Sequence, residues 1–264
     1  MAAAPGSLIV VGTGIKAVGH LTADACHWIR RADVVLYVVA DAVSEQAILD
    51  MNPRAESMRS LYGADRRRSA TYEAMVERML AALHTGVVVC AVFYGHPGVY
   101  VLPSHEAIRR ARAAGHFAQM LPGISAEDCL FADLGVDPAR SGWQSFEATD
   151  FLVHARTFDP CAGMALWQIG AIGNLGLQAG FHRQGLAVLV DVLAATYGRE
   201  HEVVVYEAAA MPTCDPQIHR TPLARVLEGP VSTLSTMYVP PRGRPTLDLA
   251  RVAALGLSPA DFGG

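Results

Sequence analysis

SLIVVGTGIKAVGHLTADACHWIRRADVVLYVVAD, residues 7–41, decides the fold class. Ser7 to Val11 is a short apolar, β-branched run that stops at Gly12, and Val34 to Val39 is a second, closed by Ala40-Asp41. Between them Thr22 to Arg31 reads as a helix with Thr22 at its N-cap. Strand, helix and strand in that order form a βαβ unit. The alternation continues outward: Tyr72 to Leu83 carries Met75, Val76, Met79, Leu80 and Leu83 at helical spacing. Val87 to Phe93 is a buried strand running into Tyr94-Gly95-His96-Pro97-Gly98, and Ser104 to Ala114 is a further helix. The class is α/β, with strands joined by crossover helices.

At Leu121-Pro122-Gly123 the pattern changes, and Ser125-Ala126-Glu127-Asp128 opens an apolar helix reaching Leu134. This turn divides the chain into an N-terminal lobe, 1–120, and a C-terminal lobe, 121–241. In the second lobe Ala165 to Ile169, Glu202 to Tyr206 and Ser232 to Val239 read as strands, and Gly185 to Tyr197 as a helix. Pro240-Pro241 ends the last strand. Residues 242–264, rich in Pro, Gly and Ala with one weak amphipathic stretch from Leu247 to Leu255, are expected to be a tail.

Composition narrows the function. A 264-residue chain that is 52% hydrophobic can bury real cores without staples. A net charge of -4 offers no basic surface for nucleic acid, and Arg66-Arg67-Arg68 is too short a run to supply one. Five scattered cysteines without a C-x-x-C pair suggest neither disulfides nor zinc, and ten histidines include no metal-ligand pair. No run approaches eighteen apolar residues and no basic n-region precedes the first strand, so the expectation is a soluble, unprocessed, cytoplasmic protein without membrane partner or metal.

Gly12-Thr13-Gly14-Ile15-Lys16-Ala17 formally fits the G-x-G-x-x-A turn of dinucleotide-binding domains, which leaves a nicotinamide-dependent oxidoreductase open. That turn works when its glycines sit at the start of a helix whose amides hold a pyrophosphate. Here Gly19-His20-Leu21 separates the glycines from Thr22.

The stretch from Val11 to Asp41 resembles the opening of the tetrapyrrole methylases. Gly95-His96-Pro97-Gly98-Val99-Tyr100 resembles that superfamily's second motif, and Pro122 to Ala126 its third. FYGHPGVY (93–100), LPGISAEDCLFADLGVDP (121–138), WQIG (167–170) and STMYVPPR (235–242) are similar, more specifically, to the borosin peptide backbone α-N-methyltransferases. The resemblance implies a two-lobed fold with S-adenosylmethionine, converted to S-adenosylhomocysteine, in the cleft between lobes. It also implies a homodimer. Cofactor contacts carried over by position are Tyr94, Gly95, His96, Gly98, Val99, Tyr100, Ser125, Ala126, Gln168, Met211, Ser235 and Thr236. Because the chain ends soon after Arg242, it is expected to act on a precursor peptide supplied in trans.

An amide nitrogen is neither basic nor nucleophilic until its proton is removed or its imidate form is stabilised. Arg68 and Tyr72 stand four apart entering a helix, so they can share one face. A guanidinium there is expected to lower the phenol's pKa. The resemblance implies a catalytic set of Tyr62, Arg68, Tyr72 and Tyr94, with Tyr72 as base and Tyr62 and Tyr94 on the amide carbonyl. Two other readings remain: a precorrin or uroporphyrinogen C-methyltransferase of the same fold, and a silent peptide-binding module.

Overall fold

A computed structural model of the protein describes residues 6–62, 68–83, 86–174 and 181–262. Arg66 and Arg67 of the basic run lie outside the described residues. The chain divides into two compact units: one holds residues 1–136, 173–182 and 206–218, the other 137–172, 183–205 and 219–264.

In the first unit the chain runs β1 (Ser7–Gly12), α1 (Ala23–Arg31), β2 (Val34–Val38), α2 (Ala42–Met51), β3 (Glu56–Ser57), a short 3-10 helix (Met58–Leu61), α3 (Arg68–Leu83), β4 (Val88–Phe93), α4 (Leu102–Ala113), β5 (Phe117–Met120) and α5 (Ala126–Leu134). The sheet order is β3-β2-β4-β1-β5, parallel throughout. β1 and β2 therefore belong to one βαβ unit without being neighbours, because β4 lies between them and pairs with both. Period-two alternation assigns the faces. Leu8, Val10, Leu36, Val89, Ala91 and Phe93 pack on Met75, Met79 and Leu83 of α3 and on Ala107 and Ala111 of α4. Ile9, Val11, Val35, Tyr37, Cys90 and Val92 pack on Ala25 and Ile29 of α1 and Ile48 of α2. A sheet buried on both faces needs continuous apolar strands, which is why β4 is wholly apolar and β1 carries only Ser7, at its first position.

Caps set the helix boundaries. Thr22 Oγ1 accepts from Ala25 N, as its position in the sequence predicts. Asp41 accepts from both the amide and hydroxyl of Ser44, starting α2, a helix the apolar pattern does not announce. Buried Asn52 follows α2 and donates from Nδ2 to Ile29 O and Ala32 O at the end of α1. Ser125 and Asp128 form a reciprocal capping box at the start of α5, whose end is closed by Gly135 at φ 66°. The first of the two compact units runs unbroken through α5 to residue 136.

The second unit contributes α6 (Pro138–Ser141), β6 (Trp143–Glu147), α7 (Ala148–Val153), β7 (Gly163–Trp167), α8 (Arg183–Tyr197), β8 (Glu202–Glu207), β9 (Gln217–Pro222), β10 (Thr236–Val239) and α9 (Leu249–Ala254); the ends of β8 and β9 and their connection count with the first unit. The sheet order is β6-β7-β10-β8-β9, with β6 parallel and β10 antiparallel to β7. Leu186, Leu189, Val190 and Leu193 of α8 pack on Met164, Leu166, Val203, Val205, Met237 and Val239. β7 stops at Trp167 because Gln168 takes a left-handed conformation, φ 59°. β10 begins only at Thr236, because Ser232 to Ser235 closes a turn in which Ser235 N donates to Ser232 O and Ser232 N to Ser235 Oγ. The expected tail is attached at its start, where Arg242 donates to Pro160 O and Thr196 O, and it contains α9 with Val252 buried.

Candidate active site

Three motifs meet at the carboxyl ends of β1, β4 and β5, the edge where open parallel sheets bind ligands. Gly14 and Gly95 form a two-way backbone bridge, each amide donating to the other's carbonyl at 3.1 Å. A Cβ on Gly12 would lie 2.0 Å from Gly95 O and 2.8 Å from Pro97 Cδ, and one on Gly123 would lie 3.3 Å from Gly95 O. Gly12, Gly95-Pro97 and Gly123 thus stack with nothing between them.

This packing removes the dinucleotide reading. In the first loop the amides of Thr13, Gly14, Lys16 and Ala17 donate to Phe93 O, Gly95 O, His20 Nδ1 and Ala210 O respectively. Helix α1 starts only after Thr22. The donors that would hold a pyrophosphate are committed inside the protein.

The turn after β4 is held from both sides. Tyr94 N donates to Val38 O, His96 Nδ1 accepts from Gly98 N at 3.0 Å, and His105 Nε2 lies 2.8 Å from Gly98 O. His96 is therefore a brace of its own turn. Gly98 faces Met120, whose sulfur would be 2.5 Å from a Cβ there, so a side chain at this position would have to displace the end of Met120. The turn leaves Val99 and Tyr100 exposed and Tyr94 partly so, with Tyr100 at φ 55°. Ser125 is buried and spent on its capping box, whereas the Ala126 amide, in the first turn of α5, lies among the donors that a helix cannot satisfy itself. Met211 follows β8 in the first unit and accepts from Cys214 N. Gln168, Ser235 and Thr236 belong to the second unit, where Ile169 N donates to Ser235 O and joins the Gln168 corner to the start of β10. A nucleoside with an amino-acid arm needs exposed rings, backbone free of Cβ and unpaired amides, and the Tyr94–Tyr100 turn with Ala126 supplies them. These residues fit S-adenosylmethionine.

Tyr62, Arg68 and Tyr72 come together. Tyr62 follows the 3-10 helix, Arg68 opens α3, Tyr72 stands one turn on, and both phenols are half-buried against the cluster containing Met58, Leu36 and Met75. Burial raises the pKa of both above the ordinary tyrosine value, while Arg68 pulls both down. The expectation of a lowered Tyr72 is thereby reversed: desolvation of the phenolate outweighs the guanidinium. Tyr94 has other neighbours. Its pKa is raised by burial and then by Cys129 and Asp41. Nearby, fully buried Tyr206 donates to Asp133 Oδ2 at 2.7 Å and is raised in turn by burial and that carboxylate. Neither Asp133 nor Tyr206 carries a signal in the sequence: the first is one polar position on a helix, the second the last residue of an apolar run.

No helix among the described residues is long and apolar enough to cross a membrane, and no group of His, Cys, Asp and Glu among them is arranged to hold a metal.

The profile of the Tetrapyrrole (Corrin/Porphyrin) Methylases matches residues 7–227. The chain is 41% identical over 261 residues to the methyltransferase/ribosomally synthesized cyclic peptide dendrothelin A precursor of Dendrothele bispora, covering 97% of this chain and 63% of that one. It is 39% identical over 264 residues to a methyltransferase/ribosomally synthesized type I borosin cyclic peptide precursor of Serendipita vermifera, covering 97% and 64%. It thus spans less than two thirds of these relatives. Among solved structures, uroporphyrin-III C-methyltransferase of Thermus thermophilus complexed with S-adenyl homocysteine shares the fold, with a TM-score of 0.59, 16% identity and coverage of 90% and 93% of the two chains.

Proposed function

Because the chain belongs to the tetrapyrrole (corrin/porphyrin) methylases, we propose that it is an S-adenosylmethionine-dependent methyltransferase acting on backbone amides of a separate, ribosomally made precursor peptide. The observation that carries this reading is the grouping of Tyr62, Arg68 and Tyr72, a base and its activator suited to an acceptor that must lose a proton. The names of the relatives, which join a methyltransferase to a cyclic peptide precursor, support the peptide as acceptor.

The cofactor supplies an electrophilic methyl group on a sulfonium sulfur. Everything else falls to the protein. Tyr72, as phenolate, takes the amide N–H proton on Oη, and Arg68 stabilises the phenolate against the burial that opposes it. The Tyr62 phenol donates to the carbonyl oxygen and holds the imidate charge. Tyr94, in its separate neighbourhood with Cys129 and Asp41, serves the cofactor side together with Val99, Tyr100 and Ala126. Gln168, Met211, Ser235 and Thr236 complete the cofactor contacts, and the working form is a homodimer.

Intact-mass spectrometry with S-adenosylmethionine, with and without a candidate precursor peptide, tests this. Increments of about 14 Da on the added peptide, placed by fragmentation on backbone nitrogen, are expected. Increments only on the enzyme itself would overturn the separate acceptor. Methylation of a uroporphyrinogen or precorrin with none on peptides would overturn the peptide reading.

A further inference from the structure

Four non-glycine residues among those described have a positive φ: Val18, Tyr100, Ala155 and Gln168. Ala155 is accounted for by its helix. It follows the His154 cap of α7, where Ala155 N donates to Leu152 O and Arg156 N to Phe151 O, the paired bonds of a left-handed helix end. Tyr100 and Gln168 are expected cofactor contacts, so their strain falls on the proposed site. Val18 is left, and it is the one β-branched residue of the four.

Val18 stands at φ 63° in the first loop, and Gly19 N donates to Ala17 O across it at 2.7 Å. Such a bond, spanning a single residue of positive φ, marks the rare and strained form of the γ-turn. A branched Cβ makes that conformation costlier still. Gly19, which would adopt it freely, is next in the chain and does not have a positive φ. The valine is also 51% exposed. The fold thus accepts backbone strain to hold an apolar side chain out in water.

The bonds around the loop place that side chain. Gly14 is bridged to Gly95 in the turn after β4, and Ala17 N donates to Ala210 O, next to Met211. Val18 therefore rises from a frame tied to two segments that carry expected cofactor contacts. Its loop keeps few backbone donors for a ligand, because the amides of Gly19 and His20, like those of Thr13, Gly14, Lys16 and Ala17, all bond within the protein. What the tip presents is hydrocarbon.

We propose that Val18 is a specificity-determining residue that packs against an apolar side chain of the precursor peptide. The proposal rests on the peptide-methylation reading above. The cofactor needs hydrogen bonds at its polar ends, which a valine does not supply, whereas a peptide brings apolar side chains to the edge where its amide is methylated.

The test compares the full chain with its Val18→Gly and Val18→Ala variants. The kcat/KM for methylation is measured on the candidate precursor peptide of the mass-spectrometric assay, and on versions of it with each apolar residue replaced in turn by alanine. Glycine takes φ 63° without strain, so Val18→Gly should fold with a urea midpoint no lower than the parent's. Its affinity for S-adenosylhomocysteine should stay within about twofold. On the unaltered peptide both variants should lose at least about fivefold in kcat/KM, the effect of burying the exposed half of a valine. One peptide position should be coupled to Val18: alanine there costs the full chain a similar factor and costs Val18→Gly nothing further. Equal kcat/KM for the full chain and Val18→Gly overturns the proposal and leaves peptide methylation standing. A loss of S-adenosylhomocysteine affinity in Val18→Gly, or a change of oligomeric state, overturns it too, by assigning the side chain to the cofactor or to a second copy of the chain. If the full chain methylates no peptide, the acceptor reading itself has failed, and the contact at Val18 falls with it.

Discussion

Replacing Gly12 by alanine tests whether the three motifs are held as one unit. The added methyl would start 2.0 Å from Gly95 O and 2.8 Å from Pro97 Cδ, both of which are parts of a tightly bonded turn. Reaching ordinary contact requires the two segments to part by roughly 1.4–2.0 Å. The reciprocal Gly14–Gly95 hydrogen bonds, now 3.1 Å, do not survive that shift. Losing two bonds costs about 1–3 kcal/mol and overpacking about 1–3 kcal/mol more, so Gly12→Ala should destabilise by about 2–6 kcal/mol. Gly19→Ala is the control in the same loop, since its Cβ would make only ordinary contacts, with Lys16 side-chain carbons at 3.7 Å and Ala17 O at 3.9 Å. Urea unfolding of both variants gives the comparison, and calorimetric S-adenosylhomocysteine affinity should fall for Gly12→Ala alone, because the Tyr94–Tyr100 turn moves with Gly95. A Gly12→Ala protein within about 0.5 kcal/mol of the parent, with cofactor affinity intact, would show that the motifs are not rigidly stacked.

Tyr72→Phe should abolish methylation while S-adenosylhomocysteine affinity stays within about twofold, and Arg68→Met should shift the rising limb of the pH–rate profile to higher pH, since Arg68 is what lowers the Tyr72 pKa. Asn52→Ala removes the donor to Ile29 O and Ala32 O and should cost about 2–4 kcal/mol in urea unfolding, with cofactor binding preserved. Tyr37 and Tyr197 are raised to about 12, mainly by burial, against an ordinary value near 10. The folded state therefore holds these protons more tightly: their contribution is complete below about pH 10 and is lost as pH climbs towards 12, so a urea midpoint falling across that window is expected, with a shallower fall in Tyr37→Phe.

The buried strands were legible because a parallel sheet covered on both faces leaves an unbroken apolar run, as in Ser7–Gly12 and Val88–Phe93. The edge strands β5, β6 and β9 were not, since Gln119, Gln144 and His219 are tolerated where one side of the backbone faces outward. Strand order is likewise absent from local pattern: nothing within residues 7–41 indicates that β4 will lie between β1 and β2. The Tyr206–Asp133 bond, a contact across 73 positions, is also outside the reach of local pattern. Of the glycines among the expected cofactor contacts, Gly98 also lies against the Met120 side chain, a contact visible only once β5 is in place.

Arg68 makes the strongest physical case for a site at Tyr62 and Tyr72. A cation opening a 16-residue helix faces the positive end of the helix dipole, where an acidic residue is the stabilising choice. Two phenols buried enough to resist ionisation stand beside it. Only the cation runs against local stability. An oxyanion between Arg68 and the phenols, whether a phenolate or an imidate oxygen, would be stabilised by both the guanidinium and the helix terminus, and would offset that cost. On the proposed reaction such a charge arises only while an amide is losing its proton, so a cation placed unfavourably in the resting protein is what a preference for that transition state would require.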